Sequence, residues 1–89
     1  MRFDWDFAKG EWNRRERGFG FDFATLIFEG DTIEWPDDRT DYGELRVRAI
    51  GEASGLVLYV VFTDRGDVRR IIFARVADRK ERNRWHASR

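Results

Sequence analysis

Arginine is the side chain through which this sequence can do chemistry. Of its 17 basic residues, 15 are Arg and two are Lys. Seven of the arginines form three groups that could converge on one surface: Arg46 and Arg48, then Arg69, Arg70 and Arg75, then Arg79 and Arg82. A guanidinium presents a planar fork that grips phosphate bidentately, where an ammonium is only a point charge. Several guanidiniums together can hold a phosphodiester and stabilise the extra charge of its transition state. RNA carries its own nucleophile in the 2′-hydroxyl, so metal-free cleavage requires little beyond such a cluster and groups that move protons. Glu81, Glu52, Lys9 and His86 are the candidates for proton transfer. His86 lies near the end of the sequence and reads as an exposed bystander. Tyr59 and the four tryptophans could stack nucleobases, although such residues more often build a core. A GC-rich genome also raises arginine usage, so the count alone does not make a binding surface.

Composition narrows the classes further. A chain of 89 residues is long enough for one small domain, residues 1–89, and too short for two. Aromatics at 16% supply the apolar area that a small core needs. Charged residues make up 38% and no apolar run approaches a membrane span. The opening MRFDWDF has no leader pattern, so a cytoplasmic location is expected. Without cysteine there are no disulfides or thiolate sites, and a single His precludes a multi-His metal centre. No metal and no cofactor are expected. Nor is there a P-loop, a dinucleotide fingerprint or a nucleophile elbow. The net charge of zero hides a strong dipole: residues 1–45 hold 12 acids and 6 bases, residues 46–89 hold 5 acids and 11 bases. The basic half suits a polyanion or an acidic partner.

The elements that must position the arginines centre on Gly55 to Val76. Leu56 to Phe62 is an unbroken, Val-rich apolar run, as in a strand covered on both faces. Thr63 to Asp67 supplies turn chemistry, with Gly66 free to adopt positive φ. In the returning strand, Val68 to Val76, strict alternation would put Arg69, Ile71, Phe73 and Arg75 on one face and Arg70, Ile72, Ala74 and Val76 on the other. Upstream, Glu44 to Glu52 alternates, with Leu45, Val47 and Ala49 opposite Arg46, Arg48 and Ile50. The stretch TIEW before Pro36 predicts another short strand, and Pro36 to Gly43 reads as a mobile acidic loop.

Helices are expected at both ends. Asp4 or Asp6 can cap a first helix that Gly18 closes, with Phe7 and Trp12 as its core anchors and Lys9, Asn13 and Arg17 along one face. Residues 19–30 predict a second helix carrying Phe21, Ala24 and Phe28 as its apolar stripe. Asp78 with Glu81 forms a capping-box pattern ahead of a basic last helix that Trp85 docks. The expected architecture is α+β: two N-terminal helices, an antiparallel four-stranded sheet and a C-terminal helix.

Fragments spread along the whole chain resemble the BrnT toxin family of bacterial type II toxin–antitoxin systems. They are Phe3-Asp4-Trp5-Asp6 with Lys9 and Asn13; Gly18 followed by Phe21; Tyr42-Gly43-Glu44 leading to Arg46, Ala49, Ile50 and Gly51; Leu58 to Thr63 with Arg65-Gly66-Asp67; Arg70-Ile71-Ile72; Ala74-Arg75; and Ala77 through Glu81-Arg82. The resemblance implies a RelE-like fold and a metal-independent endoribonuclease that inhibits translation. It also implies a neighbouring BrnA-like ribbon-helix-helix antitoxin, and contact with operator DNA only through that antitoxin. The chain departs from the family pattern in three places. Glu16-Arg17-Gly18 stands where Lys-His-Gly is usual, Val76 where a Lys follows Ala-Arg, and Val47 where an aromatic often follows the first arginine.

The residues and the resemblance together give Arg46, Arg75 and Glu81 as expected catalytic residues. Lys9, Arg17, Arg48, Arg70 and Arg82 are expected to bind RNA. The alternative is a non-catalytic RelE-like module that binds protein or RNA through the same arginines.

Overall fold

The computed structural model describes residues 1–89. The elements run β1 (Arg2–Trp5), α1 (Phe7–Arg17), α2 (Phe21–Ala24) continued by a 3-10 helix (Thr25–Glu29), β2 (Ile33–Pro36), β3 (Val47–Ala53), β4 (Leu56–Arg65), β5 (Val68–Val76) and α3 (Arg79–Ala87). The α+β class is as expected. The sheet, however, has five strands in the order β1-β5-β4-β3-β2, and it is mixed: β1 runs parallel to β5 while every other pair is antiparallel. The extra strand is only four residues long. Its partner, Val68 to Ile71, lies more than sixty positions away, so nothing local announces the pairing. Phe3 and Trp5 alternate inward from it onto the core.

Local chemistry sets the helix ends. Asp6, not Asp4, caps α1: its side chain accepts from Lys9 N–H at 3.0 Å. Gly18 closes the helix at φ 86°, with its N–H bonded to Arg14 C=O at 3.1 Å. The expected anchors do not anchor, since Phe7 is 76% and Trp12 46% exposed. The buried residues of α1 are Gly10 and Asn13. A Cβ on Gly10 would meet the Trp5 ring at 3.0 Å, so this helix-weakening glycine is what lets β1 and α1 close on each other. Residues 19–30 form one α-turn that tightens into a 3-10 helix rather than a full second helix. Phe21, Ala24 and Ile27 are buried, and their spacing of three is the 3-10 period. The cap of α3 is as expected: Asp78 accepts from Glu81 N–H at 2.8 Å, and Glu81 returns to Asp78 N–H at 2.9 Å. Trp85 docks that helix.

Three layers result, with β4 buried continuously from Val57 to Thr63. One face of the sheet carries Ala49, Ala53, Leu58, Val60, Phe62, Ile71 and Ala74 against Phe19, Phe21, Ala24 and Ile27 of the N-terminal helices. The other face is covered only in part, where Ile50 and Val57 meet Ala77 and Trp85. Leu45, expected on the apolar face, precedes β3 and is 74% exposed.

Gly51 marks the tightest packing between layers. A Cβ there would lie 2.8 Å from Ile27 Cβ and 3.1 Å from Thr32 Cγ2. Gly51→Ala should therefore cost about 1–3 kcal/mol through overpacking. Chemical denaturation should show a lower midpoint with an unchanged slope.

Candidate active site

One irregularity in β5 decides which arginines meet. Val61 pairs with Phe73 but Phe62 pairs with Ile71, so Ile72 is an extra residue, a β-bulge. Paired residues share a face, and neighbours along β4 alternate. Phe73 and Ile71 therefore lie on opposite faces although two apart. The expectation that Arg69, Ile71, Phe73 and Arg75 share a face fails here. Arg69 goes with the helix-covered face, its guanidinium 4.0 Å from the Phe62 ring centre and 4.7 Å from that of Phe28. Phe73 and Arg75 go to the half-open face.

That open face holds a row across three strands: Ile50 on β3, Tyr59 on β4 and Arg75 on β5. Beside it run Trp35, Arg48, Val61 and Phe73. Because β4 lies between β3 and β5, Arg46 and Arg75 approach from either side of Tyr59 and Val61. Arg75 is level with Ile50, four residues along from Arg46, so the two backbones are offset along the strands as well as across them, roughly 16 Å apart, and it is their long side chains that bring both to one cleft.

A cleft of about 330 Å³ occupies this place, lined by Arg39, Tyr42, Arg46, Tyr59, Phe73 and Arg75 among others. Each of its guanidiniums is oriented by a carboxylate. Arg75 donates to both oxygens of Glu81, at 2.7 and 3.0 Å, and lies 4.1 Å from the Tyr59 ring centre. The hydrogen bonds that Arg75 donates to Glu81 hold it more firmly protonated than usual, against the opposing effect of burial. Arg46 donates through Nε to Glu44 at 3.3 Å and stacks 4.1 Å over Tyr42. Arg39 grips Asp37 through Nε and Nη2 at 2.7 and 2.8 Å. The Asp37 side chain is 1% exposed. Its pKa is lowered to about 2, chiefly by that Arg39 bond. Glu44 is likewise lowered, first by Arg65 and then by Arg46. Pinned in this way, the forks keep their remaining N–H groups for a ligand, with little side-chain entropy left to lose.

The expected site residues divide accordingly. Arg46 and Arg75 line the cleft. Glu81 sits behind Arg75, both carboxylate oxygens engaged, one of them also by Asp78 N–H. Arg48 lies deeper: its Nε is 3.6 Å from Asp37, is buried, and has no hydrogen-bond partner. Lys9 and Arg17 flank a neighbouring depression that shares Ile72 and Phe73 with the cleft. Arg17, standing where the family resemblance has a His, lies 4.9 Å from the Phe73 ring centre. Arg70 is drawn to Asp4 of β1 at 3.4 Å, and Arg82 donates to Ala77 C=O at 2.6 Å; neither lines the cleft. Glu52 and His86 lie together in a different depression beside Trp85.

Sequence reasoning did not single out Arg39, Asp37 or Tyr42 as site residues. Arg39 is the only base between Asp22 and Glu44, and that isolation among acids was the available signal. Nor is the start of the Pro36 to Gly43 loop free: Asp37 N–H bonds Arg46 C=O at 2.8 Å.

Around the cleft and its neighbour stand Lys9, Arg17, Arg39, Arg46, Arg48 and Arg75 against Asp37, Glu44 and Glu81, six cations to three carboxylates. A family model described as the ribonuclease toxin BrnT of type II toxin–antitoxin systems matches residues 5–81. No curated protein matches the chain.

Proposed function

The chain belongs to the BrnT family, the ribonuclease toxins of type II toxin–antitoxin systems, and on that premise we propose that the arginine cleft beside Tyr59 is where it binds and cleaves RNA. An RNA target and an antitoxin partner come with that membership. The observation that carries the proposal is the ring of three guanidiniums, Arg39, Arg46 and Arg75, each fixed by its own carboxylate around one cleft.

In this reading Arg46 and Arg75 grip the scissile phosphate from opposite sides. The 2′-hydroxyl attacks phosphorus and gives up its proton to water, the 5′-oxygen leaves and takes a proton from water, and a 2′,3′-cyclic phosphate forms. Charge accumulates on the non-bridging oxygens, and preorganised guanidiniums stabilise it without reorganising. No metal is needed for that step, because the cations supply the electrostatic stabilisation and the RNA supplies the nucleophile. Glu81 serves the reaction through Arg75, as the residue that positions it. Tyr42 and Tyr59 also line this cleft. Arg48 supports the floor through Asp37, while Arg70 and Arg82 contribute to the approach of the RNA backbone.

The partner in this reading is a BrnA-like ribbon-helix-helix antitoxin, and operator DNA is touched only through it. No helix of the chain is long and apolar enough to cross a membrane, and the cytoplasm, where messenger RNA is found, is the proposed site of action.

The test is cleavage of a defined RNA oligonucleotide by purified protein in the presence of EDTA. Cleavage with 2′,3′-cyclic phosphate ends, blocked by a 2′-deoxy substitution at the cut, is expected. Products with 5′-phosphate ends, or intact RNA, would refute the proposal. One observation favours the non-catalytic alternative: the carboxylates around the cleft are all paired with arginines. Salt-sensitive RNA binding without cleavage would establish that alternative.

A further inference from the structure

Next to the arginine cleft lies a smaller depression of about 250 Å³, walled by Lys9, Trp12, Arg17, Phe21, Ile72 and Phe73. Its wall at Ile72 and Phe73 is also a wall of the cleft. We propose that this depression is a nucleobase subsite, holding the base next to the phosphate gripped by Arg46 and Arg75. The inference rests on the reading of the cleft as the phosphate site.

Three observations point to a flat, aromatic occupant. First, Arg17 is held as a platform. Its guanidinium lies 4.8 Å from the Trp12 ring centre and 4.9 Å from that of Phe73. Its Nη1 donates to Asn13 Oδ1 at 2.9 Å, and Asn13 is itself buried and fixed by donating to Phe19 C=O at 2.9 Å. A guanidinium fixed among aromatic rings offers a stacking surface to a base. Second, Trp12 is 46% exposed although α1 has a core to bury it in. Third, no hydrogen bond or ion pair engages the ammonium of Lys9; its one bond to a side chain is from its backbone N–H to Asp6. Its ammonium is therefore available to a base carbonyl or ring nitrogen.

The geometry explains why the two sites adjoin. The bulge at Ile72 turns Phe73 to the open face. There its ring contacts both Tyr59 of the cleft, at 6.2 Å between centres, and Arg17 of the depression. A nucleotide whose phosphate sits on the arginines would meet Phe73 and Arg17 with its base. Without the bulge, Phe73 would face the other way and the two sites would lose their common wall.

Titration with adenosine 3′-monophosphate, ribose 5-phosphate and inorganic phosphate tests this, using calorimetry together with the NMR shift of the Trp12 indole N–H. The nucleotide should bind about tenfold more tightly than ribose phosphate, the size expected of one stacked base, and should move the Trp12 signal. Trp12→Ala should abolish that tenfold difference while leaving ribose phosphate binding unchanged, and Trp12→Phe should largely restore it. Equal binding of nucleotide and ribose phosphate would overturn the subsite alone, as would a difference that survives in Trp12→Ala. Failure of all three phosphates to bind would overturn the subsite together with the phosphate cleft beneath it.

Discussion

Replacing both Arg46 and Arg75 by Ala should leave a folded protein that cleaves RNA at least about 10³-fold more slowly, each guanidinium contributing roughly 10²–10³. The fold should survive because neither removal strands a buried charge. Glu44 keeps Arg65 at 3.0 Å, and Glu81 keeps the Asp78 N–H at 2.9 Å. Arg46 and Arg75 are 25% and 32% exposed in their side chains, so the loss of their ion pairs should cost the fold little. Single-turnover cleavage at matched folded concentration separates the chemical effect from the structural one. In bacteria, induced wild-type protein should arrest growth and the double variant should not. Arg75→Lys adds a finer test. It keeps the charge but cannot span both oxygens of Glu81 while offering a fork to phosphate. Its activity should fall nearly as far as that of Arg75→Ala; near-normal cleavage by the Lys variant would mean that charge alone suffices at this position.

Asp37→Asn should be the most damaging single change at the site for stability, at about 2–4 kcal/mol. The carboxylate lies beneath the cleft with its side chain only 1% exposed. It holds Arg39 bidentately and sits 3.6 Å from Arg48 Nε, which has no other partner. A neutral amide would leave two guanidiniums adjacent without a counter-charge. Thermal denaturation should show a lower Tm, and RNA affinity should drop because Arg39 is no longer anchored. The pH dependence follows from the same pair. Asp37 titrates at about 2 in the folded protein, below its ordinary 3.8. Unfolded chains thus bind its proton more readily than folded ones. Its stabilising contribution is complete above about pH 4 and is lost as pH falls through about 2. Wild type should lose stability across that window more steeply than Asp37→Asn. Parallel slopes would show that Asp37 is not ionised and paired as the geometry requires.

Much of this protein was legible in its residues because the signals are local. The unbroken apolar run of Leu56 to Phe62 marked the doubly covered central strand, since β4 must satisfy two cores at once. Gly18 and the Asp78–Glu81 pair marked helix ends through backbone hydrogen bonds that form within a few residues. The arginine groups, with the fragments from Phe3 to Arg82, marked the family and its ribonuclease character.

What the tertiary structure decided was long-range or cooperative. The strand Arg2–Trp5 exists because Val68 to Ile71 offers it an edge, a pairing that no local period encodes. One extra residue at Ile72 shifts the register and sends Arg69 to the opposite face from Arg75, so alternation counted along the sequence misassigns everything on its far side. Trp12 and Phe7 looked like anchors by residue type, yet the approach of Trp5 to Gly10 set the inward face of α1. Most consequentially, the sequence shows 15 arginines of similar character. The strand order, with β4 between β3 and β5, brings Arg46 and Arg75 around one cleft, while Arg70 is drawn to Asp4 of β1 and Arg82 to Ala77 C=O. Local chemistry specified the cations, and where they converge was set by packing between residues distant in the chain.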